Sequence, residues 1–157
     1  MEIRRFKNED AIPTSQMIAD TLRHVNIKDY SKEYIEKDVA MLSPQNLIER
    51  ANWMHLYVVC EHEEIVGCGG IGPYWGSETE SSLFNIFVHR HYHGKGIGRA
   101  IIETLEKDEY FLRAKRIEIP ASITALKFYQ KMGYQFKNGI DQVDDEQLYR
   151  LEKWRDE

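Results

Sequence analysis

The segment that most limits the possible folds of this chain is "SSLFNIFVHRHYHGKGIGRAIIETLE", which begins at Ser81. Its apolar run, which ends at Val88, predicts a β-strand. Gly94, Gly96 and Gly98 follow at alternate positions and lead into a helical pattern. A glycine turn between a strand and a helix gathers unpaired backbone N–H groups at the positive end of the helix dipole. Such a turn favours the binding of a phosphate or a pyrophosphate group.

The residues after the first glycines predict a helix from Gly96 to about Lys107, because their apolar positions recur on one helical face. "RIEI", from Arg116 to Ile119, then predicts a strand that Pro120 closes. Two strands that are joined through one helix by short connections form a βαβ unit. We therefore expect a parallel strand pair at the centre of the sheet.

The rest of the chain predicts further elements around this unit. "EIRRF" near the N-terminus alternates as a strand does, and helices are expected to begin near Asp10, Ser31 and Ser43. "HLYVVC" and "IVGCGGIG" predict two strands that form an antiparallel meander with the strand ending at Val88. A last helix, capped by Gly133, precedes "YQFKN" and "EQLYRLEKW", which predict a final hairpin. We expect one α/β (α+β) domain over residues 1–157, built on one mixed sheet.

Charge and composition exclude some classes of partner. The chain has 157 residues and a net charge of −5, which disfavours binding to nucleic acid or to an anionic membrane. No apolar run approaches the roughly 18 residues of a membrane span, and "MEIRRFKNED" lacks the apolar core of a signal peptide. Cys60 and Cys68 match no zinc-site spacing and are expected to be buried thiols. We expect a cytoplasmic protein.

Two other kinds of ligand fit parts of the glycine segment. His89, His91 and His93 would share a face and bind zinc only if the strand continued through them, whereas the glycine turn begins at once. A dinucleotide site has the spacing G-x-G-x-x-G with an acidic residue about 20 positions further on, where Glu118 stands. The glycine spacing here is one residue tighter. A phosphate ligand without a metal is favoured, and a zinc- or nicotinamide-dependent enzyme stays the weaker alternative.

Two blocks of the sequence resemble the GNAT family of N-acetyltransferases. "FVHRHYHGKGIGRAIIETLE" is similar to the family's acyl-CoA-binding motif, a valine-ended strand followed by a G-x-G-x-G loop that opens a helix. "SITALKFYQKMGYQF" is similar to a later block, Asn-x-x-Ala-x-x-(aliphatic or Phe)-Tyr-x-Lys-x-Gly-(Phe or Tyr). Arg90, His93 and Ser122 depart from the family's usual Pro, Gln or Arg, and Asn. The resemblance covers nearly the whole chain in the family's order.

The resemblance implies a mostly antiparallel sheet whose central parallel pair is splayed to hold acetyl-CoA, flanked by helices. The glycine loop would bind the pyrophosphate of this co-substrate, and the backbone of Ile86 and Val88 would pair with its pantetheine arm. A free N–H group near Phe87 and Val88 would polarise the thioester carbonyl. The implied acetyl-CoA contacts are Ile86, Phe87, Val88, His93, Gly94, Lys95, Gly96, Ile97, Gly98, Arg99, Ser122, Ala125 and Phe128.

Acetyl transfer to an amine requires that the ammonium group lose a proton and that the departing thiolate gain one. Tyr129 matches the position of the family's acid, and the alternative is a tyrosine that only packs in the core. Glu80, with Glu78 close by, precedes the third strand of the meander and is the candidate base, unless both are solvated carboxylates. Cys68 has no partner whose spacing marks an activated nucleophile, so we expect direct transfer without an acetyl-enzyme.

The acceptor is expected to be a primary amine of a small molecule, or less readily of a protein or peptide. Residues 24–54 and 73–81 are expected to bind it, because their aromatic and acidic residues, with Tyr74 and Trp75 among them, suit a cationic polyamine or amino sugar. The resemblance allows a homodimer. The alternative to an enzyme is a non-catalytic acyl-CoA-binding sensor or interaction module.

Calorimetric titration of metal-stripped protein tests the assignment of the glycine loop. We expect acetyl-CoA to bind with a micromolar dissociation constant, because the turn offers several N–H donors to a charged pyrophosphate. NAD is the control ligand and is expected to give no binding heat. Binding of NAD without binding of acetyl-CoA would contradict the assignment.

Overall fold

The parallel strand pair expected from the glycine segment lies inside one seven-stranded sheet of order β1-β2-β3-β4-β5-β7-β6. The computed structural model describes residues 1–155. The strands are β1 (Glu2–Arg5), β2 (His55–Glu61), β3 (Glu64–Pro73), β4 (Glu80–Val88), β5 (Arg116–Ala121), β6 (Gln135–Phe136) and β7 (Tyr149–Trp154). The helices are α1 (Ala11–His24), α2 (Lys32–Met41), α3 (Pro44–Arg50), α4 (Ile97–Leu105), α5 (Glu109–Leu112) and α6 (Leu126–Lys131). Only β4 and β5 pair in parallel among these strands, which confirms the predicted mixed sheet.

Helices α2 and α3 begin where the sequence predicts because serine side chains cap them. The Ser31 hydroxyl accepts the Tyr34 N–H at 3.1 Å and starts α2. The Ser43 hydroxyl accepts the Asn46 N–H at 3.3 Å and starts α3. Each cap satisfies a backbone donor that the first turn of a helix leaves unpaired.

Three details differ from the sequence-based prediction. β5 continues through Pro120, which pairs with Arg150 of β7, instead of ending before it. Proline suits a strand with one unpaired edge, and the β4 side of β5 is unpaired beyond Glu118. The short helix α5 was not predicted; the Asp108 carboxylate caps it. The last two strands pair antiparallel as expected, but residues 137–148 separate them.

The sheet lies between two helical layers. Helices α1 to α3 cover one face through an apolar cluster that includes Ile18 and Ile35, and α4 to α6 cover the other through a cluster that includes Ile101. A Cβ atom at Gly69 of β3 would lie 2.6 Å from Cγ2 of Ile101, so this glycine lets α4 approach the sheet closely. None of the helices within residues 1–155 has both the length and the apolar character needed to cross a bilayer.

An ion pair fixes the start of α1 to β1. Arg4 Nη1 and Nη2 donate to the Asp10 carboxylate at 2.8 and 2.9 Å, and the Lys7 N–H donates to it at 2.8 Å. Only 5% of the surface of Asp10 is exposed. The Arg4 guanidinium therefore holds the pKa of the Asp10 carboxyl below its usual value.

Asp10→Asn is expected to lower the free energy of unfolding by about 1–3 kcal/mol at pH 7, because it removes charge-assisted hydrogen bonds. The folded-state pKa is depressed, so this stabilisation is present above the ordinary carboxyl pKa of about 4. It disappears as the pH falls through the lower folded-state pKa. Urea unfolding between pH 7 and pH 2 measures the difference. Asp145→Asn, at an exposed position, is the control, and a gap that persists at the acid end would contradict the assignment.

Candidate active site

A split opens in the middle of the sheet because β4 and β5 pair over only three residues each. The paired residues are 80–82 of β4 and 116–118 of β5. β4 continues to Val88 and β5 to Ala121, and no further pair joins them. Beyond Ser82 the facing edges of both strands therefore carry backbone groups that another extended molecule can pair with.

A β-bulge turns β4 away from β5 at the start of the split. Cys68 stands opposite Phe87 and Gly70 opposite Phe84, so one extra residue of β4 is accommodated between them. Within this bulge Asn85 has a φ of 56°, which few residues other than glycine adopt. Because bulges increase the local twist and bend of a strand, this one accounts for the separation of β4 from β5.

The backbone beyond the bulge faces the split at the two positions assigned to the pantetheine arm. The His89 N–H donates to the Val66 carbonyl of β3 at 2.8 Å. Since alternate residues direct their backbone groups to opposite edges of a strand, Val88 and Ile86 direct theirs towards the split. His93 Nε2 lies 2.8 Å from the Val88 carbonyl, so its ring pairs with one of these groups in this structure.

The glycine loop presents a row of backbone donors. Gly94 and Gly96 have φ values of 77° and 80°, and α4 begins directly after them. The first hydrogen bond of the helix joins the Ala100 N–H to the Gly96 carbonyl at 3.0 Å. None of the N–H groups of residues 93–99 donates a hydrogen bond within the part of the chain that the structure describes. Lys95 and Arg99 add positive charge, and the described ion pairs include neither. This arrangement fits a diphosphate.

Phe128 and Ser122 shape the other wall of the loop. A Cβ atom at Gly98 would lie 3.0 Å from Cζ of Phe128, so the phenyl ring packs directly on the backbone of α4. The Ser122 hydroxyl accepts the Ala125 N–H at 3.2 Å. Phe128 thus borders the loop as expected, whereas the Ser122 oxygen is engaged in the turn before α6.

Tyr129 combines a buried ring with an unpartnered hydroxyl. Only 5% of the surface of Tyr129 is exposed. Its hydroxyl makes no hydrogen bond within residues 1–155. Among these residues the only unbonded side-chain oxygen that is fully enclosed is Thr14 Oγ1, so the Tyr129 hydroxyl keeps some contact with solvent. Burial raises the pKa of Tyr129, and the negative form of Cys68 adds to that rise. The phenol is therefore protonated at neutral pH and suited to donate a proton.

Cys68 is a poor nucleophile. Burial raises the pKa of its thiol to about 12. The Sγ atom donates to the Asn85 carbonyl at 3.1 Å and so holds the bulge in place. Because the thiolate is the reactive form of cysteine, this environment agrees with transfer that needs no acetyl-enzyme. Both cysteines are free thiols, although Cys60 is only half-buried, contrary to expectation.

Glu80 does not lie beside Tyr129, which corrects its assignment as the base. Its carboxylate accepts from Arg116 Nε at 2.9 Å at the closed end of the split. Glu80 is seven residues from Phe87 along β4, about 23 Å at ~3.3 Å per residue. Since Phe87 stands opposite Cys68, near Tyr129, Glu80 is too distant to share its chemistry. The carboxylate is also already engaged by the Arg116 guanidinium.

The other residues expected at the acceptor entrance also lie at the closed end. Arg116 and Lys137 cover the ring of Tyr74 at 4.9 and 5.4 Å. Trp75 has 90% of its surface exposed, and Glu78 is exposed too. Residues 73–81 therefore form the outer hairpin of β3 and β4 and do not line the split.

Two stacked tyrosines border the split from the α2 side. The rings of Tyr30 and Tyr34 lie 4.3 Å apart at an interplanar angle of 14°. The Tyr30 hydroxyl accepts the Ile123 N–H at 2.8 Å and donates to the Gln147 carbonyl at 2.8 Å. It thereby joins the turn before α6 to the loop before β7. Part of the first segment that is expected to bind the acceptor thus contacts the turn that follows β5.

Carboxylates surround the tyrosine pair. The half-buried Asp38 lies one turn after Tyr34 in α2, and the Tyr34 hydroxyl donates to the Glu146 carbonyl at 2.7 Å. Burial raises the pKa of the Asp38 carboxyl, and the charge of Glu146 adds to that rise. The Glu146 carboxylate itself pairs with Arg150 at 2.6 Å, which leaves Asp38 as the carboxylate on this side that could attract a cationic amine. The sequence offers no pattern that singles out Asp38.

Arg50, at the end of α3, reaches the bulge from the same helical layer. Its Nη1 donates to Asn85 Oδ1 at 3.3 Å. The neighbouring Trp53 packs edge-on against Phe84, with ring centroids 5.3 Å apart. Sequence reasoning missed Arg50, because nothing in the spacing of α3 predicts which strand its side chain meets.

The three loop histidines do not gather around a common point. The His89 and His91 rings lie 5.3 Å apart, while His93 turns back to β4. Within residues 1–155 no group of three His, Cys, Asp or Glu side chains could hold a metal ion.

Alkylation by iodoacetamide at pH 8 is expected to modify Cys60 at least ~100-fold faster than Cys68, because the raised pKa leaves few thiolates at Cys68. Peptide mass spectrometry of timed samples measures both rates. Cys60→Ser is the control that removes the faster reaction alone. Rapid modification of Cys68 in the folded protein would contradict its described burial.

The chain is similar to known acetyltransferases in sequence. Residues 52–136 match the family model described as "Acetyltransferase (GNAT) domain". A probable spermine N(1)-acetyltransferase of Bacillus subtilis subsp. natto (strain BEST195) is 29% identical over 79 residues, 46% of this chain and 52% of that protein. The matched region thus spans about half of that relative's length.

Solved structures show the same fold along almost the whole chain. PaiA N-acetyltransferase from Thermoplasma acidophilum, in complex with coenzyme A, has a TM-score of 0.83 at 18% identity and covers 98% of both chains. A GCN5-related N-acetyltransferase structure from Rhodopseudomonas palustris has a TM-score of 0.79 at 21% identity, covering 98% of this chain and 95% of the other. Aminoglycoside 6'-acetyltransferase type Ii has a TM-score of 0.62 at 22% identity, covering 98% and 97%. These likenesses concern the fold.

Proposed function

Since the chain belongs to the GNAT family of acetyltransferases, we propose that it is an N-acetyltransferase that moves an acetyl group from acetyl-CoA to a primary amine of a small molecule. The observation that carries this proposal is the row of unpaired N–H groups over residues 93–99, placed at the open end of the split. A diphosphate with a polar extended arm matches both features together.

The donor half of the site consists mainly of backbone. The N–H groups of residues 93–99 bind the diphosphate, and Lys95 and Arg99 neutralise its charge. The edge of β4 at Ile86 and Val88 pairs with the amides of the arm, once His93 releases the Val88 carbonyl. Acetyl-CoA supplies an activated acetyl thioester at the end of that arm. An N–H group at the edge of β4 then polarises its carbonyl oxygen.

Tyr129 acts as the general acid. The acceptor ammonium first loses a proton to water. As the neutral nitrogen bonds to the acetyl carbon, the carbon–sulfur bond breaks and the Tyr129 hydroxyl gives its proton to the sulfur; the second proton that the nitrogen loses restores the phenol through water. The unpartnered hydroxyl is free to do so, and its raised pKa keeps the proton available over the working pH range. These properties favour an enzyme over a non-catalytic acyl-CoA sensor, for which an unpaired polar group in a buried ring would serve no purpose.

The acceptor approaches between the tyrosine pair and the bulge of β4. Asp38 attracts its cationic amine, and the rings of Tyr30 and Tyr34 give it an apolar wall. The relative described as a probable spermine N(1)-acetyltransferase and the structure described as an aminoglycoside 6'-acetyltransferase are both named for amine acceptors. The net charge of −5 argues against a nucleic-acid substrate. Free thiols suit a reducing compartment such as the cytoplasm.

Tyr129→Phe is expected to lower kcat by about 100-fold or more, since general acid catalysis contributes typically 10²–10⁴-fold. The dissociation constant of acetyl-CoA should stay within about twofold, because the ring and its packing remain. Release of CoA thiol over a panel of amines measures kcat, and calorimetry measures binding.

Tyr134→Phe is the matched control. The Tyr134 hydroxyl is already bonded to Glu106 at 3.0 Å and is not available to the split. This variant should keep its kcat within a few-fold. Unchanged kcat in Tyr129→Phe, with normal acetyl-CoA binding, would remove Tyr129 from the mechanism and favour the packing role.

A further inference from the structure

Arg50 is a half-buried cation without an anionic partner. It makes one hydrogen bond, the 3.3 Å contact to Asn85, and no carboxylate of residues 1–155 lies within ion-pair distance. By contrast, the buried Arg116 binds three carboxylates and Arg4 binds Asp10 through both terminal nitrogens. The Nε and Nη2 groups of Arg50 therefore have no acceptor among the described residues.

Removing a guanidinium from water without pairing it is unfavourable. Burial alone lowers the pKa of Arg50, whereas Arg4, which has a carboxylate partner, shows the opposite shift. The neutral Asn85 amide compensates only weakly, because hydrogen bonds between two charged groups are shorter and stronger than this one. The free nitrogens of Arg50 keep solvent contact, so the guanidinium is available to bind an anion that approaches from solution.

The surroundings of Arg50 leave room for such an anion. The residue lines a cleft of about 260 Å³ together with Met41, Asn46, Glu49 and Trp53. Glu49 is exposed and forms no ion pair with the guanidinium. Two of the residues that line the cleft also contact the bulged part of β4, Trp53 through Phe84 and Arg50 through Asn85. Cys68 binds the Asn85 carbonyl from the sheet and is itself near Tyr129, so Arg50 stands close to the proposed point of transfer.

We propose that Arg50 binds an anionic oxygen group of the acceptor, so that the substrate is an amine that also carries a carboxylate or a phosphate. The planar guanidinium matches the two oxygens of either group. Asp38 of α2, in the same helical layer as Arg50, supplies negative charge for the ammonium end. A zwitterionic acceptor satisfies both residues at once. This assignment presupposes the proposed acetyl transfer, and it defines Arg50 as a specificity-determining residue.

A binding experiment on the wild-type protein tests the site without requiring turnover. Protein labelled with ¹⁵N at arginine and saturated with CoA is titrated with 6-aminohexanoate and with hexylamine, which lacks the carboxylate. O-Phosphoethanolamine and ethanolamine form the phosphate pair. The Nε–H resonance of Arg50, assigned by its loss in Arg50→Lys, should shift with an anionic member of a pair and not with its neutral-ended partner. Which pair responds identifies the anion. No shift with either anion, or equal shifts within each pair, would overturn the proposal.

Steady-state kinetics add a second test with L-lysine and cadaverine, which differ by one carboxylate. Arg50→Gln should lower kcat/KM for L-lysine about 10- to 100-fold and change that for cadaverine less than about threefold, as expected for loss of one charged contact. Arg50→Lys should restore part of the L-lysine rate. Arg23→Gln, which breaks an exposed ion pair with Glu36, is the control. Equal losses for both amines would show that Arg50 only holds Asn85 in place and would overturn the proposal.

Failure of this inference differs from failure of the proposed function. If CoA does not bind, the acetyltransferase assignment itself fails, because the glycine loop then lacks its ligand. If CoA binds and the Arg50 Nε–H resonance shifts with neither anion, only the proposal of an anionic acceptor fails.

Discussion

The early end of the β4–β5 pairing is the constraint on which the rest of the structure depends. At the closed end, the buried Glu118 carboxylate binds Arg116 at 3.0 Å and Lys137 at 2.9 Å, and Arg116 also binds Glu80 and Glu152. Charges so deeply buried persist only when each has partners, so β4, β5 and β7 are tied together there. At the other end the bulge at Asn85 bends β4 away. The ion network and the bulge together fix where the opening lies.

Features set by local stereochemistry could be predicted from the sequence. The alternate glycines determine where the loop turns, and the positive φ angles of Gly94 and Gly96 bear this out. The end of β4 at Val88 and the parallel pairing of β4 with β5 follow from the βαβ pattern. Pro120 predicted the end of β5. The strand instead continues through it, and Pro120 lies where the edge of β5 no longer pairs with β4. The proposed role of Tyr129 rests on the family block and not on the residues alone.

Features set by contacts between distant segments could not be predicted. Glu80 and Arg116 are 36 residues apart, and nothing in the sequence couples them. Tyr30 contacts Gln147 across 117 positions. Arg50 lies on a short helix whose sequence shows no unusual pattern. Its contact with Asn85 becomes visible only once the fold brings α3 next to the bulge of β4. For the same reason the sequence predicts Tyr74 at the acceptor entrance, whereas its ring packs against Arg116 and Lys137 at the closed end.

The proposed donor half of the site consists mainly of backbone groups, and the proposed acceptor half consists of side chains. The proposed donor half relies on peptide groups, which every residue carries, so His93, Arg90 and Ser122 can depart from the usual family residues without removing those donors. The proposed acceptor half relies on side chains, among them Arg50, Asp38 and the tyrosine pair. Substitutions can therefore change which acceptor binds, while the backbone donors of the glycine loop remain in place. A scaffold of this kind can change its metabolic role more readily than its source of acyl groups.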